Sequence, residues 1–102
     1  MLKMIRVCAD GLAVTGEGVL LVKRRFMPFR GFWGLHGGIV EDNEGLEDAC
    51  RREFKEETGY NVTIDEMIDA RIIDARIEEH LQEIRVIITF HVTINDGILS
   101  KK

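Results

Sequence analysis

The chain has 102 residues, with 14 Lys and Arg against 18 Asp and Glu, a formal charge of −4. That length fits one domain with a modest core, and a composition 45% hydrophobic and 31% charged excludes a disordered chain. The acidic balance argues against a track for polymeric nucleic acid and favours a cation wherever a polyanion is bound. No apolar run reaches about 18 residues, so no membrane span is expected. No secretory core follows Lys3 and Arg6, which makes a cytoplasmic location the expectation. Cys8 and Cys50 form no Cys-x-x-Cys pair, so they are expected as small buried hydrophobes rather than zinc ligands.

Residues 4–14 predict a first strand, Thr15-Gly-Glu-Gly18 a turn, and residues 18–24 a second strand hairpin-paired to the first. Residues 25–31, with the single proline Pro28, predict a loop. Phe32–Val40 is apolar but glycine-rich, the pattern of a short strand with a close backbone approach. A helix is expected from near Glu44 to Thr58, stopped by Gly59. Residues 62–77 suit strand or helix by propensity, and a bulged strand is favoured. Glu78–Glu83 reads as a polar connection, Ile84–Ile94 as the clearest strand, Asn95-Asp-Gly97 as a turn and Ile98–Lys102 as a short tail. Several strands around one helix define an α+β class in a single domain, residues 1–102.

The helix carries the chemical signal. On a helical projection Leu46, Ala49, Cys50 and Phe54 form the face that packs on a sheet. Glu53 and Glu57 fall inside that apolar stripe, and Glu56 lies at its edge. Ionised carboxylates turned inward cost several kcal/mol unless they are paired or bind a metal. Three acids on adjacent turns also repel one another, so one would tend to keep a proton. Arg51, Arg52 and Lys55 are available to pair with them, as in any charged helix. A hard divalent cation relieves both the burial and the repulsion, because Mg²⁺ takes carboxylate oxygens, keeps several waters and bridges to phosphates.

The spacing Gly38-x5-Glu44-x7-Arg52-Glu53-Phe54-x-Glu56-Glu57-x-Gly59-Tyr60 resembles the Nudix box, with all seven fixed positions matched over 23 residues. Trp33-Gly-Leu-His-Gly-Gly38 resembles the family's Trp-x-Leu-Pro-Gly-Gly entrance, with His36 in place of the proline. The resemblance implies the Nudix fold, a mixed sheet with the box helix packed on it. In this shorter chain the α/β/α sandwich is expected to lack its C-terminal helix. It also implies Mg²⁺-dependent hydrolysis, with Mn²⁺ as a substitute, of the diphosphate in an ADP-ribose-like compound or a nucleoside triphosphate. Carried over by position, Gly37, Gly38, Glu53, Glu56 and Glu57 resemble the metal-binding set. Glu53 is also a candidate base with Glu56 in support, and Arg52 resembles the arginine that orients a catalytic glutamate. Glu44 could act through the helix dipole or a metal-bound water, or be structural.

Arg24, Arg25, Trp33 and His36 are the candidate substrate contacts. Arg24 and Arg25 would touch phosphate or end a solvated strand. Phe32 and Trp33 would stack a base or, the stronger expectation, sit in the core. His36 would hydrogen-bond substrate or be a neutral loop histidine. The acid that the family often supplies beyond the last turn is missing from Ile98–Lys102. That gap leaves a second reading open, a catalytically silent module that binds nucleotide and regulates a partner. An uncovered sheet edge and face would favour a homodimer. A small nucleotide, with neither polymeric nucleic acid nor membrane, is the expected partner.

Overall fold

The computed structural model describes residues 2–23, 31, 33–78 and 81–97. In chain order these form β1 (Leu2–Thr15), β2 (Gly18–Val19), β3 (Val22–Lys23), β4 (Trp33–Gly34), β5 (His36–Ile39), α1 (Leu46–Thr58), β6 (Tyr60–Glu78) and β7 (Leu81–Gly97). The main sheet runs β2-β1-β7-β6, and β5 also pairs with β1. The sheet is mixed. β1 lies parallel to β7, from Leu2 opposite Leu81 to Ala13 opposite Val92, whereas β2, β5 and β6 pair antiparallel with their neighbours. This is the expected α+β arrangement, with α1 the one helix among the described residues.

The helix reaches the sheet because β1 offers almost no side-chain bulk beneath it. Ala9 and Ala13 are fully buried there. A Cβ on Gly11 would come within 3.2 Å of Cys50 Sγ, Phe54 Cδ2 and Val92 Cγ1. Phe54 fills the resulting layer against Phe90 and Val92, and burying a side chain of that size contributes about 1.5–3 kcal/mol. Both cysteines are buried as expected, and burial pushes the Cys50 thiol up to about 12. Gly59 ends α1 in the left-handed region at φ 85°, donating its N–H to Lys55 O at 2.8 Å.

Several boundaries differ from the sequence expectation. The helix, expected from near Glu44, starts at Leu46, because Gly45 is extended at φ −79° and ψ 163° and serves as its N-cap. Leu46, set at the centre of the packed stripe, is 37% exposed, and Thr58 is buried instead. The expected second strand is broken: β2 adds to β1, while β3 pairs with β4 in a separate two-stranded sheet. The Thr15–Gly18 turn holds as expected, with the Thr15 hydroxyl accepting the Glu17 N–H and donating to Gly18 O.

The 62–77 segment is a strand with bulges, as favoured, and β6 shows register shifts at four places. The polar connection is shorter than expected, since β7 already begins at Leu81. Asn95-Asp96-Gly97 is strand rather than turn. Side-chain pairs across the ladder, Asn61 with Asp96 and Thr63 with Asn95, hold these residues to β6. Phe32 and the tail 98–102 lie outside the described residues.

Candidate active site

The site is built where β5 passes between β1 and α1. Alternation along β5 sends His36 and Gly38 towards the helix and Gly37 towards the opposite face of the sheet. Only glycine fits at Gly37, where a Cβ would stand 2.3 Å from both Ala9 O and Asp10 Cβ. At Gly38 a Cβ would stand 2.5 Å from Glu53 Cδ and within 2.8 Å of both carboxylate oxygens. The Glu53 carboxylate therefore rests directly on the bare backbone of Gly38. One turn later Glu57 Oε1 accepts the Gly37 N–H at 3.0 Å. The Glu53 and Glu57 side chains are 20% and 24% exposed, whereas Glu56 is 54% exposed and faces outward.

Arg52 ties this group together. Its Nε and Nη2 donate to the two Glu44 oxygens at 2.8 and 3.0 Å, Nη1 donates to Glu53 Oε1 at 2.8 Å, and Nη2 reaches Ile39 O at 3.2 Å. A forked guanidinium with a bidentate carboxylate partner is geometrically specific as well as strong. These bonds hold the Glu44 carboxyl at about 2, the Arg52 hydrogen bond acting most and the Glu41 N–H next. The same Glu44 bond leads in raising Arg52. Glu53 moves the other way. Burial pushes its carboxyl above the usual range and the charges of Glu56 and Glu57 add to this, while Arg52 opposes.

Glu53, Glu56 and Glu57 offer hard oxygen donors on consecutive turns, which suits Mg²⁺ or Mn²⁺. Among the described residues no three acidic, histidine or cysteine side chains converge closely enough to enclose an ion. Arg52 and the Gly37 N–H each occupy one oxygen of the inward pair. The donor set thus fits a cation that keeps waters and shares phosphate oxygens, not one caged by protein alone.

On the far side of Gly37 and Gly38 the sheet carries a cleft of about 260 Å³. Cys8, Ile73 and Ile87 give it an apolar floor, and Asp10, Arg71 and Arg85 bring charge to it. Thr89 donates to Asp10 Oδ1, and Arg71 Nη1 contacts Asp69 Oδ2 at 2.8 Å and Thr89 Oγ1 at 3.4 Å. Arg85 is bonded to the buried Glu83. Trp33 lines the cleft with 66% of its surface exposed, contrary to the expectation that it is core. Its strand β4 belongs to the separate two-stranded sheet, and no element among the described residues covers the ring. His36 is also corrected: it is a strand residue, 4% exposed and packed between β5 and α1, so it does not line the cleft. Arg24 and Arg25 lie outside the described residues. Asp10, Arg71 and Arg85 escaped the sequence reading, because only strand pairing across β1, β7 and β6 brings them together.

The NUDIX domain profile matches residues 4–97, and the chain belongs to that family. An ADP-ribose pyrophosphatase of Methanocaldococcus jannaschii is 47% identical over 53 residues, which is 52% of this chain and 31% of that protein. An 8-oxo-dGTP diphosphatase of Proteus vulgaris is 49% identical over 68 residues, 66% of this chain and 61% of that protein. The chain thus spans less than two thirds of the length of either relative. A UDP-X diphosphatase structure superposes with a TM-score of 0.75 at 17% identity, covering 100% of this chain and 48% of that one, and shares the fold. No helix among the described residues is long and apolar enough to cross a membrane.

Proposed function

We propose that the chain hydrolyses the diphosphate linkage of a small nucleotide, either an ADP-ribose-like compound or a nucleoside triphosphate. The observation that carries this is the pair of half-buried carboxylates, Glu53 and Glu57, seated on the two glycines that wall the cleft. The relatives' names, an ADP-ribose pyrophosphatase and an 8-oxo-dGTP diphosphatase, agree with diphosphate cleavage and differ on the nucleotide.

Glu57 and Glu53 would hold Mg²⁺, or Mn²⁺ in its place, with Glu56 on the solvent side and the Gly37–Gly38 backbone beside them. Such an ion, when bound, neutralises phosphoryl oxygens and lowers the pKa of the attacking water. Glu53 is the candidate base, since its raised carboxyl brings it nearer to working pH. Arg52 is a positioning residue that fixes Glu53 through Nη1 and is itself fixed by Glu44. Trp33 offers an exposed ring face for a base, and Arg71 and Arg85 offer positive charge to phosphate or to the group beyond it.

Among the described residues no three acids converge to enclose an ion, which favours a second reading, a silent nucleotide-binding or regulatory module. Phosphate release from a panel of nucleoside triphosphates and ADP-ribose, with Mg²⁺ or Mn²⁺, separates the two. Turnover by the wild type, falling about 100-fold or more in Glu53→Gln and in Glu57→Gln, supports hydrolysis. Tight binding without turnover favours the silent module. Equal turnover in all three proteins removes the proposed site.

A further inference from the structure

His36 stands where the resemblance calls for proline, and its surroundings give it a task that proline could not perform. The ring is 4% exposed, and both of its nitrogens are buried without a hydrogen-bond partner among the described residues. Leaving a buried polar nitrogen unpaired costs about 1–3 kcal/mol, so buried imidazoles nearly always find an acceptor. The carboxylate facing this ring is that of Glu57, with Oε2 at 3.6 Å from Nδ1. An approach of about 0.6 Å would make this an ordinary hydrogen bond.

The ring is already aimed for that approach. It meets Phe54 edge-on, with centroids 5.2 Å apart and planes at 63°, which limits its rotation. Across the ladder it faces Gly11, which presents no side chain. The other oxygen of Glu57 is held by the Gly37 N–H at 3.0 Å. A donor on each oxygen would fix both the plane and the twist of the carboxylate, leaving its remaining lone pairs directed away from β5.

We infer that His36 is a positioning residue that donates from Nδ1 to Glu57 Oε2 and sets the orientation of that carboxylate for a divalent cation. The inference rests on the reading of Glu57 as a metal-holding residue. It concerns the neutral ring and calls for no change of protonation. A second donor of this kind typically alters metal affinity by 10–100-fold.

Mn²⁺ binding to the full chain, measured calorimetrically without nucleotide, tests it in four proteins. These are wild type, His36→Phe, His36→Gln and Glu57→Gln. His36→Phe keeps a ring against Phe54 and removes both nitrogens, so Mn²⁺ affinity falls by about 10-fold or more. His36→Gln restores an N–H donor and stays within about threefold of wild type on the same scale. The metal-free melting temperature of His36→Phe stays near wild type, because loss of the Nδ1–Glu57 bond is offset by removal of the buried, unpartnered Nε2. Wild-type affinity in His36→Phe overturns the inference, as does equal weakening in His36→Phe and His36→Gln. If Glu57→Gln binds Mn²⁺ as tightly as wild type, the reading of Glu57 itself fails and takes the inference with it.

Discussion

Replacing Gly38 with alanine isolates the site from the fold. The added Cβ would stand 2.5 Å from Glu53 Cδ and 2.7 and 2.8 Å from its oxygens. Ordinary contact begins near 3.4 Å, so the carboxylate has to retreat by roughly 0.9 Å. The backbone allows this, since Gly38 is not among the positive-φ residues and the obstacle is the end of a flexible side chain. The melting temperature should change by only a few degrees, because less than about 1 kcal/mol is at stake. Catalysis should suffer far more, as a 1 Å misplacement of a reacting group costs about 100-fold, or ~2.7 kcal/mol in kcat/KM. Gly37→Ala is the contrasting control. There the Cβ would meet Ala9 O and Asp10 Cβ at 2.3 Å, and backbone cannot swing aside. Gly37→Ala should therefore lose stability outright, while Gly38→Ala melts near wild type with a crippled rate. Phosphate-release kinetics alongside thermal melts read both effects. A Gly38→Ala enzyme within about threefold of wild-type kcat/KM would refute the placement of Glu53 at the reacting centre.

Two further outcomes follow from the same geometry. Trp33 is the chain's single tryptophan and lines the cleft, so nucleotide binding should quench its fluorescence. Trp33→Ala should raise KM about 5–30-fold with little change in kcat, as expected for about 1–2 kcal/mol of stacking. Unchanged fluorescence on saturation would place the base elsewhere. The Glu44 carboxyl, lowered in the folded state from 4.5 to about 2, contributes stability that is fully present above pH 4.5 and is lost as pH falls towards about 2. Glu44→Gln should therefore melt below wild type at pH 6, and the two curves should converge near pH 2. A constant gap across that range would mean the Arg52–Glu44 pair contributes nothing to acid sensitivity.

The helix and its acids were legible because their signals are local. Three- and four-residue spacings placed Glu53 and Glu57 beside Ala49, Cys50 and Phe54, and Gly59 marked the stop. A projection gives direction around the axis but not how far the sheet extends along it, which is why Leu46 was misplaced at the exposed first turn. The cleft was not legible for a different reason. Asp10 meets Thr89 across 79 positions, and Arg71 and Arg85 join them only through the pairing of β6 with β7. Nothing near any of these residues announces that partnership. The β7 end was misread because Asn95 and Asp96 carry turn propensity, yet their side chains are taken up by Thr63 and Asn61 on the neighbouring strand. His36 and Trp33 exchanged their expected environments, since strand alternation and membership of the small sheet decide exposure there, not hydrophobicity.

The parallel ladder from Leu2 opposite Leu81 to Ala13 opposite Val92 spans nearly the whole chain. Contacts so distant in sequence give a high contact order, and closing so long a loop costs entropy before any of the pairing is recovered. On a ribosome the first strand emerges long before its neighbour exists. Until β7 is made, β1 has only the short strands β2 and β5 as partners among the described residues, so pairing along most of its length waits on a segment 79 residues away.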